Sequence, residues 1–255
     1  MRLHRFYTTE TLAGRTQLTL NAPELIHQIR NVFRMKEGDS IVLFNGTGFD
    51  YLCKIDSKNE RSTIVSDSVI SLRVVETRPE RYSPKRRLFL CTAIMKKDTF
   101  EWIVEKATEL GVTDIIPLSA ERSEKKSLNV VRLQKIALEA SEQSGRDTTP
   151  MVHAIMGPGE AAAWLKKESV GDTSRGVASL IAFHTEGEAA STRRHLVELA
   201  VQSNPLAIFI GPEGGWSPTE IEMFHKEDIE VLCLGPQILR SETAVVAALS
   251  MVVFG

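Results

Sequence analysis

The chain has 255 residues, a length that leans toward two domains or one large one, since a single domain usually takes ~100–200. Its 31 Lys and Arg face 33 Asp and Glu, a formal net charge of -2, which excludes a uniformly basic nucleic-acid coat and leaves room for a local basic surface. With 42% hydrophobic and 25% charged residues, the composition is that of a soluble globular protein with a sizeable core, not of a disordered segment.

Cys53, Cys91 and Cys233 are far apart and form no CxxC pair. Neither a disulfide framework nor a cysteine zinc site is expected, and a reducing cytoplasm fits. The start, MRLHRFYTTE, has no apolar stretch of the kind a secretory signal needs.

The first 72 residues read as short strands around one helix, Pro23 to Phe33. Ser40 to Phe44 and Tyr51 to Ile55 flank Asn45-Gly46, a hairpin signal that Gly48 lengthens or bulges. Arg61 to Ile70 is rich in β-branched residues and is expected to supply another strand. Short antiparallel strands at this spacing suggest a small barrel. Residues 73–84, with Pro79 and Pro84, read as a linker. Residues 73–97 hold eight basic and two acidic side chains, a local excess of six positive charges. Two readings stay open: a solvated linker, or a phosphate-binding stripe at a domain junction.

From residue 85 to 255 strands and helices alternate. Leu88 to Ala93 is a buried-strand run, followed by a helix with Asp98 as N-cap and Glu101 three positions on. Phe100, Ile103, Val104, Ala107 and Leu110 form one apolar stripe, and Gly111 ends the helix. Val112 to Leu118 is a strand, and Val130 to Ser144 a helix closed by Gly145. Leu180 to Phe183, Leu206 to Ile210 and Ile229 to Leu234 are further short strands. This alternation predicts an α/β domain with a parallel sheet covered by helices. Ala244 to Phe254 is apolar around its circumference; as a helix it spans roughly 16 Å, half a bilayer core, so it must be covered by protein on both sides.

Two loops join a strand end to a helix start, where open parallel sheets bind ligands. The first is Gly211-Pro-Glu-Gly-Gly215, followed by Ser217-Pro-Thr-Glu220 with Ser217 as N-cap, Pro218 at the first helical position and Glu220 completing a capping box. Its glycines allow close approach of a ligand to the backbone, or make a tight turn with no ligand. The second is Leu234-Gly-Pro-Gln-Ile-Leu-Arg-Ser-Glu-Thr-Ala244, with Ser241 as N-cap. Ile238 and Leu239 lie in this loop and want an apolar partner such as an adenine or a thioether methyl donor. Arg240 precedes a helix N-terminus, so cation and helix dipole converge on one point and suit an electron-rich oxygen. The alternative is a structural ion pair of Arg240 with Glu213 or Glu242. His184 closes a strand and faces the same rim. Gln143 and Arg146, at a helix C-terminus, could bond a nucleotide or phosphate, or Arg146 could serve the helix dipole. GxGxxG after a strand, GxxxxGK[ST], GxSxG and HExxH are all missing, and the six histidines lack metal-ligand spacing, so no metal is expected. A nucleotide-dependent oxidoreductase on an ordinary doubly wound sheet loses its support with the first of these.

Phe209 to Gly215 followed by Leu234 to Ala244 resembles the SPOUT methyltransferases, and more closely the bacterial 16S ribosomal RNA uridine-N3 methyltransferase family. Phe100 to Gly111, Glu139 to Arg146, Arg5-Phe6, His27 to Arg34 with Gly38-Asp39, and Ile41 to Gly48 match the family in order along nearly the whole chain. Ser241 stands where Thr is common, and Trp216 is bulky after the glycines. The resemblance implies a PUA-like β-barrel over residues 1–72 and, over 85–255, an α/β domain with a deep trefoil knot. It implies S-adenosyl-L-methionine as methyl donor, bound by His184, Gly211, Pro212, Glu213, Gly214, Leu234, Gly235, Ile238, Leu239 and Thr243. Arg240 is the candidate to stabilise charge on the uridine oxygens, and Glu213, Glu242 or water could take the N3 proton. Arg5, Arg34, Arg86, Arg87, Gln143 and Arg146 are the expected RNA-binding residues, chiefly for phosphate. The expected activity is methylation of uridine N3 in small-subunit 16S rRNA by a cytoplasmic homodimer; the other reading is a non-catalytic RNA-binding adaptor.

Overall fold

A computed structural model describes residues 3–56, 69–79, 86–124, 127–146, 148–171, 179–186, 195, 198–199 and 204–254. The chain divides into two compact units, residues 1–83 with 141–149, and residues 84–140 with 150–255.

The first unit holds a five-stranded sheet: β1 (Arg5–Tyr7), β2 (Gln17–Leu20), β3 (Ser40–Phe44), β4 (Phe49–Ile55) and β5 (Ile70–Pro79), in the order β1-β3-β4-β5-β2. Alternate residues enter its core, among them Phe6, Leu18, Leu20, Ile41, Leu43, Tyr51, Cys53, Ile70 and Leu72. The β3–β4 turn uses positive φ at Gly46 (78°) and Gly48 (84°), so both glycines of the expected hairpin are needed. Three expectations change, and a fourth cannot be compared. β1 pairs with β3 in parallel, so the sheet is not wholly antiparallel. Residues 73–79, expected as linker, are strand: β5 pairs along β4 as far as Phe49–Pro79, because Pro79 at the strand end gives up no ladder bond within the strand. The expected Pro23–Phe33 helix is α1 (Pro23–His27) continued as one π turn over Gln28–Val32. The expected Arg61–Ile70 strand lies outside the described residues up to residue 68, and β5 begins at Ile70.

The second unit is a six-stranded parallel sheet of β6 (Leu88–Ala93), β7 (Asp114–Leu118), β8 (Met151–Val152), β9 (Ser179–His184), β10 (Leu206–Ile210) and β11 (Glu230–Cys233). The order is β11-β9-β10-β6-β7-β8. β6 and β10 are buried on both faces, which explains their unbroken apolar runs. Leu88, Leu90, Ile208 and Ile210 point to one face, against α2 (Lys97–Glu109), α3 (Val130–Ser144) and α6 (Ser241–Phe254). Phe89, Cys91, Ala207 and Phe209 point to the other, against α4 (Pro158–Gly171) and α5 (Pro218–Lys226). Burial pushes the Cys53 thiol up to about 12 and raises that of Cys91, so both act as small hydrophobes.

α2 starts one residue before the expected cap. Lys96 is its N-cap without a side-chain bond, and Asp98 lies inside the first turn, where its charge still suits the dipole. Glu101 does not reach back; Arg132 of α3 holds it with two bonds of 2.6 and 2.7 Å. Val245, Ala248, Leu249 and Val252 of α6, one helical face, are buried in the core, while Val246, Met251 and Val253 are half-buried and Phe254 is exposed. Ser241 is the first helical residue, so Arg240 takes the cap position expected for Ser241, its carbonyl accepting from Ala244 N–H at 2.8 Å.

Candidate active site

The carboxyl ends of β9, β10 and β11 open into one cleft, about 530 Å³ including its mouth. This is the edge where a parallel sheet leaves strand-end backbone groups for a ligand. Of the residues expected to bind a cofactor, His184, Gly211, Pro212, Leu234, Gly235 and Leu239 line the cleft. Glu213, Gly214, Ile238 and Thr243 are exposed and do not line it. Phe183, Ile210 and Ala244 add apolar wall, and Thr185, Gln237 and Ser241 add polar groups.

The β10–α5 loop is held from several sides. Gly215 has φ +69° and its N–H donates to Pro212 O at 2.8 Å, closing the turn. Arg122 donates to Gly214 O at 2.9 Å and to Trp216 O at 3.2 Å. The expected capping box forms: Glu220 N–H donates to Ser217 Oγ (3.2 Å) and Ser217 N–H to Glu220 Oε2 (2.8 Å). The other carboxylate oxygen accepts from Glu121 N–H at 2.9 Å, which satisfies this buried Glu220 on both oxygens. Trp216 is 3% exposed, packs edge-on against Phe224 and donates its indole N–H to Phe183 O at 3.0 Å.

The second loop is tied at its root by Cys233, whose S–H donates to Gly235 O at 3.0 Å. Leu239 and Ser241, on either side of Arg240, both line the cleft, which puts Arg240 at its rim. Arg240 is exposed, and no ion pair joins it to Glu213, Glu242 or any other described carboxylate, so the structural ion-pair alternative is not realised. Phe183, Thr185, Ile210, Trp216 and Cys233 also line the cleft and were not among the expected binding residues. The bulk of Trp216 after two glycines was the available signal, and Cys233 offered only its place at a strand end.

The expected RNA-binding residues fare differently. Arg34 is exposed in a left-handed conformation (φ 53°), and Gln143 is exposed. Arg5 is engaged: it bonds Asp50 at 2.5 Å and Arg146 O at 2.9 Å, and lies over the Phe44 ring. Arg146 is only 2% exposed, which leaves no face for a phosphate. Arg86 donates to Leu199 O at 2.6 Å. Arg87 pairs with Asp114 (3.0 Å) and Glu168 (3.3 Å) and covers Phe89. Of the basic stripe, Arg73 and Arg78 also hold carboxylate partners, Asp56 and Glu76, while Arg81 and Lys85 lie outside the described residues. Among the described residues of this stretch, Arg86 and Arg87 are engaged inside the protein, while Arg73, Arg78, Lys96 and Lys97 remain largely exposed.

A family profile described as an RNA methyltransferase domain matches residues 81–253, and one described as an RNA methyltransferase PUA domain matches residues 22–66. A Rickettsia conorii protein named ribosomal RNA small subunit methyltransferase E is 30% identical, covering 99% of this chain and 96% of its own. A Bacillus subtilis protein of the same name is 33% identical, over 90% and 87%. A Neisseria gonorrhoeae protein of that name, solved bound to S-adenosyl methionine, aligns at TM-score 0.79 and 26% identity over 98% of this chain and 96% of that one. A Legionella pneumophila structure in complex with the bound cofactor SAM aligns at TM-score 0.78 and 27% identity over 99% and 97%. The fold, the strand-end cleft and these matches together place the chain in the RNA methyltransferase family, with a PUA domain preceding the methyltransferase domain.

Proposed function

We propose that the protein transfers a methyl group from S-adenosyl-L-methionine to N3 of one uridine in 16S rRNA of the small ribosomal subunit. The observation that carries this reading is the cleft itself: two glycine loops at three parallel strand ends, with Arg240 held between two lining residues. The cleft fits an adenosyl group, since Phe183, Ile210, Leu234, Leu239 and Ala244 give it apolar wall and Thr185, Gln237 and Ser241 give it hydrogen-bonding groups. His184, Gly211, Pro212, Leu234, Gly235 and Leu239 are the residues that would hold the donor. Glu213, Gly214, Ile238 and Thr243 would act from the rim. When bound, S-adenosylmethionine supplies a methyl carbon already activated by its sulfonium.

The remaining chemistry belongs to the chain. Uridine N3–H is too weakly acidic to be an anion at neutral pH, and its conjugate base carries charge on O2 and O4. Arg240, free of ion pairs and next to the N-terminus of α6, stabilises that charge. Glu213 or Glu242, both beside the cleft in sequence, takes the proton. Holding donor and base in one orientation supplies much of the rest of the acceleration.

The RNA is met by the first unit, with Arg34 and Gln143 as its exposed polar contacts and Arg5, Arg86, Arg87 and Arg146 as scaffold rather than phosphate ligands. The trefoil knot belongs to this reading: β11 follows β10 yet pairs with β9, so the chain crosses back over the sheet before α6. A homodimer completes it, with the outer face of α6 as the shared surface. The protein acts in the cytoplasm, where small subunits are. No helix among the described residues is long and apolar enough to cross a membrane.

Methyl transfer from labelled donor to small subunits of a strain lacking the enzyme, followed by mass mapping of the modified nucleotide, tests this. Label at a single uridine N3 is expected. Label at another position ends the N3 assignment, and subunit binding without label would leave the non-catalytic adaptor.

A further inference from the structure

Trp216 lines the cleft and touches the ends of two of its three strands, β9 and β10. Its indole N–H reaches across to Phe183 O at the end of β9 (3.0 Å). Its ring lies on Gly211 at the end of β10: a Cβ there would meet the indole Cε2 at 3.1 Å and Cδ2 and Nε1 at 3.3 Å. Its own carbonyl accepts from Arg122 at 3.2 Å, and its ring stands edge-on to Phe224 of α5, with centroids 4.9 Å apart. A turn needs none of this. Gly215 already supplies the positive φ of the turn, and α5 is already capped by Ser217 and Glu220.

We propose that Trp216 is a positioning residue for the methyl donor: its indole clamps the β9 and β10 strand ends together, and Gly211 is a glycine because the indole occupies the space of its side chain. The proposal rests on the donor reading of the cleft. It explains why a bulky residue follows the glycines. The loop is kept thin at Gly211 so that the ring can lie behind it, and the ring fixes the backbone on which the donor rests. The indole belongs to the cleft wall as well as to the core, so bound donor changes its surroundings.

The test uses the full chain and S-adenosylhomocysteine as the probe. Calorimetry on the unaltered protein comes first; absence of binding there overturns the donor reading and this proposal with it. With binding present, Trp216→Phe keeps an aromatic ring and loses the N–H donor, and is expected to weaken Kd by about tenfold, the loss of roughly one hydrogen bond of 1.4 kcal/mol. Gly211→Ala approaches the same contact from the other side and is expected to weaken Kd at least as much. In the Trp216→Leu background the same Gly211→Ala change should cost less than a third of that factor, because the ring it collides with is gone. Tryptophan fluorescence adds a readout that stability does not move. The donor-induced change should vanish in Trp216→Phe and persist in Trp102→Phe and Trp164→Phe. Native Kd in a folded Trp216→Phe protein, strict additivity of the Gly211 and Trp216 changes, or a fluorescence response that survives Trp216→Phe would each overturn the assignment, while leaving the donor reading intact.

Discussion

His153 Nε2 lies 2.9 Å from Asp114 Oδ1, at the start of β7 and thus at the edge of the parallel sheet opposite the cleft. Asp114 also accepts from Arg87 at 3.0 Å and from Thr113 at 2.8 Å. Burial alone would raise its pKa, but the bonds from His153, Arg87 and Thr113 outweigh burial and hold it below the ordinary value. A folded-state pKa below the unfolded one means that Asp114 stabilises the protein above the unfolded value and loses this as pH falls through the folded one. Asp114→Asn should therefore lower the free energy of unfolding at pH 7, read from urea titration, by somewhat less than the ~3–5 kcal/mol of a fully buried pair because Arg87 stays about one-third exposed. It should also flatten the acid limb of the stability curve. Equal free energies of unfolding for the two proteins at pH 7 would contradict this.

Ligand linkage gives a second outcome. S-adenosylhomocysteine at 100 times its Kd should add about 2.7 kcal/mol to the stability of the native state. For a unit of this size that is a rise in melting temperature of ~5–10 °C. Binding by calorimetry without any shift in melting would mean that the ligand also binds unfolded chain and that the cleft is not its site.

Arg240 gives the third. If it stabilises charge on the uridine oxygen, Arg240→Ala should slow single-turnover methylation roughly 100- to 1,000-fold. Donor Kd and melting temperature should barely change, since the side chain is exposed and free of ion pairs. Arg240→Lys should recover only part of the rate, because a point charge does not reproduce the planar fork. A normal single-turnover rate in Arg240→Ala removes the residue from catalysis.

The fourth concerns α6. Val246 and Val253 lie off its buried face and are half-covered in one chain. Val246→Asp should shift sedimentation from dimer to monomer or aggregate, because it places a charge on the surface a second copy would cover. A folded, unaltered protein that sediments as monomer at micromolar concentration would count against the dimer.

Much of the second unit could be read from its residues, and the reason is burial on both faces. β6 and β10 have no choice but to be apolar throughout, so their runs stand out. The Ser217 box was legible because both of its partners lie within one helical turn. Glu101 shows the limit of such local reading: its spacing suited a box, but Arg132, 31 residues later, offered two bonds to its carboxylate. Arg5 and Arg146 show it again. An arginine that ends buried carries the same letter as one that meets phosphate, and only the fold decides. The parallel β1–β3 pairing was hidden because a three-residue strand has no periodicity to betray its partner. Gly211 was read as room for a ligand; the structure fills that room with Trp216.

The position of β11 has a consequence for the order of events during synthesis. Among the described residues this strand pairs with β9 alone and is the last strand of the sheet, and the loop and helix after it add to the cleft wall through Leu234, Leu239, Ser241 and Ala244. A nascent chain halted near residue 230 could pair β6 through β10 and bury much of its core, yet would lack seven of the fifteen residues that line the cleft. On the proposed donor site, donor affinity then arrives late and all at once, with residues 233–244. A deletion series that removes residues 233–244 should lose donor binding abruptly rather than by degrees.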